Sequence, residues 1–519
     1  MKRIAMWVLC LMAAIMPHAA QGDMIRGLKE LPVISVEEIA QLPKVTGEVT
    51  LTLGRTPLPR DSETGHYLIP QDAGTRRFDG SVRLQKQEGF TYYITAGDEY
   101  TKQDALARGT GFMIFGVSET ECLASGVIFT SLPVLMIDTQ HGALPGEEDE
   151  TGFLRLYSAE KGTIRCEETP IEINLRGNTS KRLPKQSYRV KIVDEHGEKD
   201  NLSIAGLRSD DDWILNPMYT DTSKVREKLA YELWAAMNSS GQRAQSSRLE
   251  YAELYIDGHY WGLYGVQERI DRKQVDANRQ YGMLYKVFAN WRPSVEQLLA
   301  AEENEAICEG FEIKFAGEGV ARVWEPAATY MSLLNGESNA AGASVSLENV
   351  IDYGLWAMLV QAHDCHFKNQ YIHCAYEGEG YVMYKIPWDL NHTFGDCWST
   401  EATESNNTEY YIGDLVVDGV FGQLVMTGND AVYDMIRSRW AQLRGGAVQL
   451  EDIMARAQAI FDSILPALAR DNARWPEGGM GEGNSMSLKD IEVSLRDALE
   501  RIDEYVAQMG APETEETGK

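Results

Sequence analysis

The spacing of hydrophobic and polar positions changes period along the chain. From Gly47 to about Gly116 short alternating runs recur (EVTLTL, GSVRLQK, GFTYYIT, GFMIFGV), separated by Gly, Pro and Asp. This pattern predicts a small β-rich region. LPVLMIDT (132–139) is almost continuously apolar and reads as a buried strand, whereas the acidic GALPGEEDETG (142–152) reads as a surface loop. IEINLRGNTS (171–180) is a strand ending in a turn, QSYRVKIVD (186–194) alternates as a second strand, and DDWILNP (211–217) follows a loop. The period then lengthens. SKVREKLAYELWAAMN predicts a helix capped by Asp221 or Ser223 and ending at Asn238, with Val225, Leu229, Leu233 and Ala236 on one face. RLEYAELYIDG (248–258) and HYWGLYGVQE (259–268) are two strands joined by the hairpin signal Asp257-Gly258. RIDRKQVDAN continues towards a helix, and the pattern from about 295 to 363 is helical, closing with NVIDYGLWAMLVQAH. Beyond the stretch Gln361 to Gly395, residues 400–428 read as loop, residues 429–510 as mostly helix, and APETEETGK as a disordered tail.

Composition adds compartment and excludes one partner class. The formal net charge is −29 over 519 residues, a field that repels nucleic acid as a main partner. Lys2 and Arg3 precede an apolar run, Ile4 to Met16, that is too short to span a bilayer, and Ala20-Gln21-Gly22 offers a cleavage site. The chain therefore reads as exported, secreted or held at the cell surface, with no stable membrane span once the leader is removed. Six cysteines follow the leader, an even number that permits disulfides in an exported chain. Cys365, Cys374 and Cys397 flank the Gln361 to Gly395 stretch, where at least one bridge is expected.

That stretch holds the chemistry. Asp364 is followed five residues later by Asn369, the D-x-x-x-x-N spacing of a kinase catalytic loop, in which the acid takes a hydroxyl proton and the amide holds metal. Asp364 alone would read as a loop cap. Asp389 changes this, because it follows the strand-like YVMYKIPW twenty-five residues on, where a second metal acid belongs. Asn391 offers one more oxygen. Such hard donors suit Mg²⁺ or Mn²⁺ with a nucleotide, ATP. Upstream, Lys191 in YRVKI resembles the strand lysine that pairs with nucleotide phosphates, with Lys185 its competitor. Glu227 and Glu232 are alternative helix acids to orient it. Arg176, in the turn RGNTS, stands where a phosphate-cradling loop belongs, and Glu268 stands where adenine docks at a hinge. No G-x-G-x-x-G loop is present.

Five motifs in order, RGNTSKRLPKQSYRVKI, DTSKVREKLAYEL, YAELYIDGHYWGLYGVQERID, HDCHFKNQY and IPWDLNHTFG, resemble the spore coat protein H (CotH) kinase family. RSRWAQLR and ARDNARWP resemble its helical end. The resemblance covers about 130–475. It implies an α+β, atypical two-lobed protein-kinase-like fold, with a β-rich region at 23–126, the kinase-like domain at 127–475 and C-terminal helices at 476–510. It also implies ATP-dependent phosphorylation of Ser or Thr in a surface or spore coat protein. Asp364 would be the catalytic acid/base, Asn369 and Asp389 metal ligands, and Lys191 or Lys185 the nucleotide lysine. Arg176 and Arg226 match family positions. The family's Asp-Leu-Asp is here Asp389-Leu390-Asn391, so one ligand lacks charge. Competing readings are adenylylation or carboxylate activation on the same fold, an inactive coat-binding module, and a carboxylate-pair glycosidase. The last leaves Asn369 and the lysine strand unexplained.

Overall fold

A computed structural model describes residues 28, 30–96, 100–177, 179–289, 292–335, 344–365, 367–396, 420–426, 429–478 and 487–510. The expected leader (1–22) and polar tail (511–519) lie outside the described residues, as do Asn178 and Cys397. The chain is mixed α+β, with several sheets and ten α-helices among the described residues. It divides into two compact units. One comprises the chain to Tyr219 with Glu250–Glu268 and Asp462–Gly478; the other comprises Thr220–Leu249, Arg269–Phe461 and the chain from Gly479.

The first unit is built on a closed seven-stranded barrel. Its order is Val134–Thr139, Glu150–Glu160, Thr163–Arg176, Ser187–Ile192, Asp212–Asn216, His259–Glu268 and Leu249–Ile256. Parallel pairing of Val134–Ile137 with Glu253–Ile256 closes it. Alternation decides what each strand contributes. Tyr188, Val190 and Ile192 are buried in the barrel core with Ile173, Trp213 and Tyr264, while Arg189 and Lys191 stand on the other face. The N-terminal sheet is centred on Cys122–Thr130, which pairs with Gly111–Val117, His66–Pro70 and Val45–Gly47. Its Phe112, Val127 and Phe129 share one apolar cluster with Val134, Tyr157 and Tyr255 of the barrel strands.

Two consecutive residues near the end of the helix Leu450–Arg474 fasten it to this barrel through buried charge. Arg470 donates to both carboxylate oxygens of Glu253, at 2.6 and 2.9 Å. Asp471 Oδ1 accepts from the Lys185 ammonium at 2.7 Å and from the Leu263 N–H at 3.0 Å. Lys185 also donates to the carbonyls of Leu263 and Pro217, at 2.5 and 3.0 Å, so all three of its protons are used. Gly262 makes room: it has φ +118°, and a Cβ there would clash with the Asp471 carboxylate.

The second unit combines helices with a six-stranded sheet. Its order is Ile307–Cys308, Phe311–Ala316, Met283–Val287, Gln370–Tyr376, Tyr381–Pro387 and Ser344–Val345. Three expectations are corrected here. The region 295–363 is not helical throughout: helices occupy Val295–Ala300, Glu325–Leu334 and Leu347–Val360, and Phe311–Ala316 is a strand. Gly310, at φ +92°, and the fully buried Phe311 favour a strand edge over a helical turn. RIDRKQVDAN forms turns, because the Asp271 carboxylate accepts the Gln274 N–H at 2.9 Å and Asp276 is left-handed. The helix Arg226–Met237 buries Leu229, Leu233, Trp234 and Met237, while Ala236 is exposed. Its N-cap position is Val225, without a side-chain cap, but Asp221 Oδ2 accepts the Arg226 N–H at 3.1 Å.

A buried carboxylate organises this unit. Asp352, on the helix Leu347–Val360, accepts from Arg439 Nε at 2.6 Å and from both the N–H and hydroxyl of Ser239, at 2.8 and 2.6 Å. Arg439 also donates to the Met237 carbonyl at 2.5 Å. Three helices are thus tied at one point.

Removing one partner of a buried pair leaves the other charge uncompensated, whereas a half-exposed pair is screened. Lys185→Met is expected to destabilise by about 3–5 kcal/mol and Lys191→Met by about 0–1 kcal/mol, measured by urea unfolding. Equal losses in the two variants would contradict the structural role assigned to Lys185.

Candidate active site

The site is assembled by a helix end, a tight loop and a hairpin. The helix Leu347–Val360 ends at Gln361, which adopts φ +50°. The chain then turns sharply, with the Cys365 N–H donating to the Ala362 carbonyl at 2.9 Å. Two contacts pin this loop. The Tyr353 hydroxyl donates to the Cys365 carbonyl at 3.1 Å, and the Cys365 thiol lies 3.5 Å from the Trp388 carbonyl. The hairpin Gln370–Tyr376 and Tyr381–Pro387 pairs Gln370 with Pro387. One more hydrogen bond, from the Trp388 N–H to the Asn369 carbonyl at 3.0 Å, extends the ladder to its open end. Asn369 and Asp389 therefore leave the two legs side by side.

Both residues are left-handed, Asn369 at φ +53° and Asp389 at φ +62°, and so are Gln361 and Phe394 in the same stretch. Such backbone costs on the order of 1–3 kcal/mol per non-glycine residue and gathers at functional sites. Asn369 Nδ2 donates to Asp364 Oδ2 at 2.9 Å, and Lys368 Nζ lies 2.8 Å from Asp364 Oδ1. The amide oxygen of Asn369 is thereby oriented away from the acid. Asp389 is exposed, and its N–H meets the Tyr231 hydroxyl at 3.3 Å. Burial, then the charges of Glu227 and Asp389, push the Tyr231 phenol well above its ordinary value. Burial, then Asp364 and Asp389, do the same to the Cys365 thiol. Glu227, Tyr231, Cys365, Asp364 and Asp389 thus form one neighbourhood.

Three of the expected residues, Asp364, Asn369 and Asp389, come together, and Asn391 lies half-buried two residues beyond. Lys191, Lys185, Arg176 and Glu268 belong to the barrel unit. Lys191 stands on the outer face in ion pairs with Asp149 at 2.5 Å and Glu172 at 2.9 Å. Lys185 is fully buried on Asp471. Arg176 is half-buried at the end of its strand, and Glu268 is buried, accepting the Arg208 N–H at 3.2 Å. Of the two helix acids, Glu232 pairs with Lys228 and Arg456 at 3.2 and 3.9 Å, whereas Glu227 is buried beside Tyr231. The expected disulfide is corrected as far as the described cysteines go. Cys365 and Cys374 are free, buried thiols; Cys122 and Cys308 are also free and buried, and Cys166 is free and half-buried.

Sequence reasoning missed Lys385 and gave Arg226 no role beyond its match to a family position. Lys385 is 4% exposed and sits 4.0 Å from the Tyr353 ring centroid, with no hydrogen-bond acceptor for its ammonium among the described residues. Burial pulls it from 10.5 down to about 7. The signal was a lone lysine inside the apolar strand YVMYKIPW. Arg226 is 1% exposed; it pairs with Asp221 at 2.6 Å, while its Nε and Nη2 have no partner among the described residues.

Asp364, Asn369 and Asp389 supply two carboxylates and an amide. This set fits Mg²⁺ or Mn²⁺, which take few protein oxygens and complete their shells with phosphate and water. Among the described residues no cluster of three His, Cys, Asp or Glu side chains competes as a metal site.

A mixed α+β framework bearing an acid, an amide and a second acid on a loop and hairpin defines the class. The chain belongs to the CotH kinase protein family, whose profile matches residues 173–510 and so spans the whole site. Membership makes kinase-like chemistry the coarse assignment. A search of curated proteins gives no match. Among the described residues no helix is long and apolar enough to cross a membrane.

A lysine whose folded value is about 7 against 10.5 unfolded gives an unfolded state that binds more protons between those limits. Stability therefore rises with pH across that window. The penalty is complete below pH 7 and fades as pH approaches 10.5. Lys385→Met should remove up to about 1.4 kcal/mol per pH unit of this slope. Urea unfolding at several pH values reads it; parallel profiles for the two proteins would sink the assignment.

Proposed function

We propose that this chain is an exported, ATP- and divalent-metal-dependent phosphotransferase that moves the γ-phosphate to Ser or Thr hydroxyls of a surface or coat protein. The observation that supports it most is the meeting of Asp364, Asn369 and Asp389 at the open end of one hairpin. In this reading the two compact units correspond to the lobes of an atypical protein-kinase-like fold. Phosphoryl transfer asks little covalent help and much positioning. Asp364 accepts the proton of the attacking hydroxyl. Lys368 and Asn369 fix the orientation of its carboxylate. Asn369 and Asp389, with Asn391 adjacent, are the residues that would hold Mg²⁺. Bound Mg²⁺ supplies charge neutralisation on the phosphates. Glu227, through Tyr231, positions the backbone of Asp389. The phosphate-binding roles of Lys191, Lys185 and Arg176, and the adenine-docking role of Glu268, remain part of the family-based proposal.

The purified protein with Mg²⁺ or Mn²⁺ is expected to label itself or casein from ATP radiolabelled at the γ-phosphate. Asp364→Ala and Asp389→Ala should each abolish labelling. Label arriving instead from the α-phosphate would replace phosphorylation with adenylylation. Labelling undiminished in either variant would falsify the site. Separately, Glu227→Gln should lower activity by about 10–100-fold while Glu232→Gln leaves it near wild type; the reverse ranking would overturn the choice of helix acid.

A further inference from the structure

A polar cavity opens in the same unit, at the opposite end of the hairpin from Asn369 and Asp389. It encloses about 580 Å³. Arg243, Arg272 and Arg279 line it, and Asp276 is the sole acid lining it. In a chain of net charge −29 this is a local reversal of sign.

Its chemistry is specific. Arg243 pairs with Glu377 and donates to the Tyr384 hydroxyl at 2.9 Å. Arg272 lies over the Phe315 ring at 5.9 Å, and neither its guanidinium nor that of exposed Arg279 has a hydrogen bond or ion pair among the described residues. Two further polar groups lack partners. The buried Ser240 hydroxyl has none, and neither does Nε2 of His373, a residue 1% exposed. His373 Nδ1 lies 2.8 Å from the Arg243 carbonyl, which only accepts, so Nδ1 carries the proton. Burial holds the ring below its ordinary value and therefore neutral. Nε2 then presents a lone pair and needs a donor. Guanidinium donors, a hydroxyl and one acceptor together match an oxyanion that bears a hydroxyl of its own.

We infer that the cavity lined by Arg243, Arg272, Arg279, Ser240 and His373 binds a protonated oxyanion, namely inorganic phosphate. The guanidinium groups of Arg272 and Arg279 take the charged oxygens. Ser240 donates to one of them, and the ligand's hydroxyl donates to His373 Nε2. This site goes beyond the phosphotransferase reading and does not depend on it.

Calorimetric titration of the whole chain near neutral pH tests it, with inorganic phosphate, glycerol phosphate and sulfate as separate probes. Phosphate carries a proton there and sulfate does not. Phosphate should bind saturably and sulfate several-fold more weakly. Arg272→Gln with Arg279→Gln should weaken phosphate by about tenfold or more, while Asp389→Ala should leave it unchanged. If the double variant does not fold, the exposed Arg279→Gln alone decides the matter. Glycerol phosphate, which at this pH has largely lost the proton that would reach His373, should bind more weakly than inorganic phosphate; tighter binding would overturn the assignment of a protonated ligand. Absent saturation, equal affinity for sulfate, or loss in Asp389→Ala with retention in the arginine variant would each overturn the proposal.

Discussion

The hydrogen bond from the Trp388 N–H to the Asn369 carbonyl sets the geometry of the candidate site. It closes a ladder that runs from Tyr376 opposite Tyr381 to Gln370 opposite Pro387. A slip of one residue would turn every side chain to the other face of the sheet. Ile372, Cys374 and Met383 pack on one face into a single apolar cluster, and that slip would take them out of it. With register fixed, Asn369, next on one leg, and Asp389, just past Trp388 on the other, turn left-handed as they leave the ladder. Asp364 is drawn in by the Asn369 amide, and the loop between is held by Cys365 against Trp388. The strained conformations persist because the surroundings over-determine them.

Much of the remaining ionic chemistry serves the framework. Lys185–Asp471 and Arg470–Glu253 are buried pairs, and Asp352–Arg439 joins three helices. Pairs of this kind add little net stability relative to apolar packing, but they penalise any arrangement that separates them. They are devices of specificity. This accounts for the motifs RSRWAQLR and ARDNARWP, which lie far along the chain from the acids. Arg439, Arg470 and Asp471 sit inside them and form these pairs.

The sequence made strands legible where the period was short and clean. SYRVKI, DWILN, LEYAELYI and both hairpin legs appear as read. Closure of seven strands into a barrel was not legible, because the parallel pairing of Val134–Thr139 with Leu249–Ile256 joins segments over a hundred residues apart. Phe311–Ala316 was absorbed into a helical reading because a short apolar run carries little period of its own. At the site, Asp364, Asn369 and Asp389 were legible as spacing. The two helix acids were not separable by spacing; burial divides them, since Glu227 enters beside Tyr231 and Glu232 stays with Lys228 and Arg456. Lysines are harder still. Lys191 alternates outward from Val190 and Ile192, which a strand pattern shows, but its partners Asp149 and Glu172 come from other strands and loops.

A strongly acidic chain that handles anions must concentrate its cations. The net field repels a phosphate at a distance, so attraction must come from groups close enough to escape screening, within roughly 8–10 Å. The second unit meets this condition in two ways. Around the hairpin's open end, Lys286 lies over Trp388 and Arg292 over Phe367, each beside an aromatic face. An aromatic face stabilises a cation without neutralising it, as a carboxylate would, and so preserves its charge for an arriving anion. Arg272 over Phe315, at the other end, follows the same logic. In the barrel unit, Lys185 and Lys191 are matched to carboxylates. Lys185 lies over Tyr264 as well, so an aromatic face does not by itself mark a cation as available; pairing with a carboxylate is what commits Lys185 to the fold.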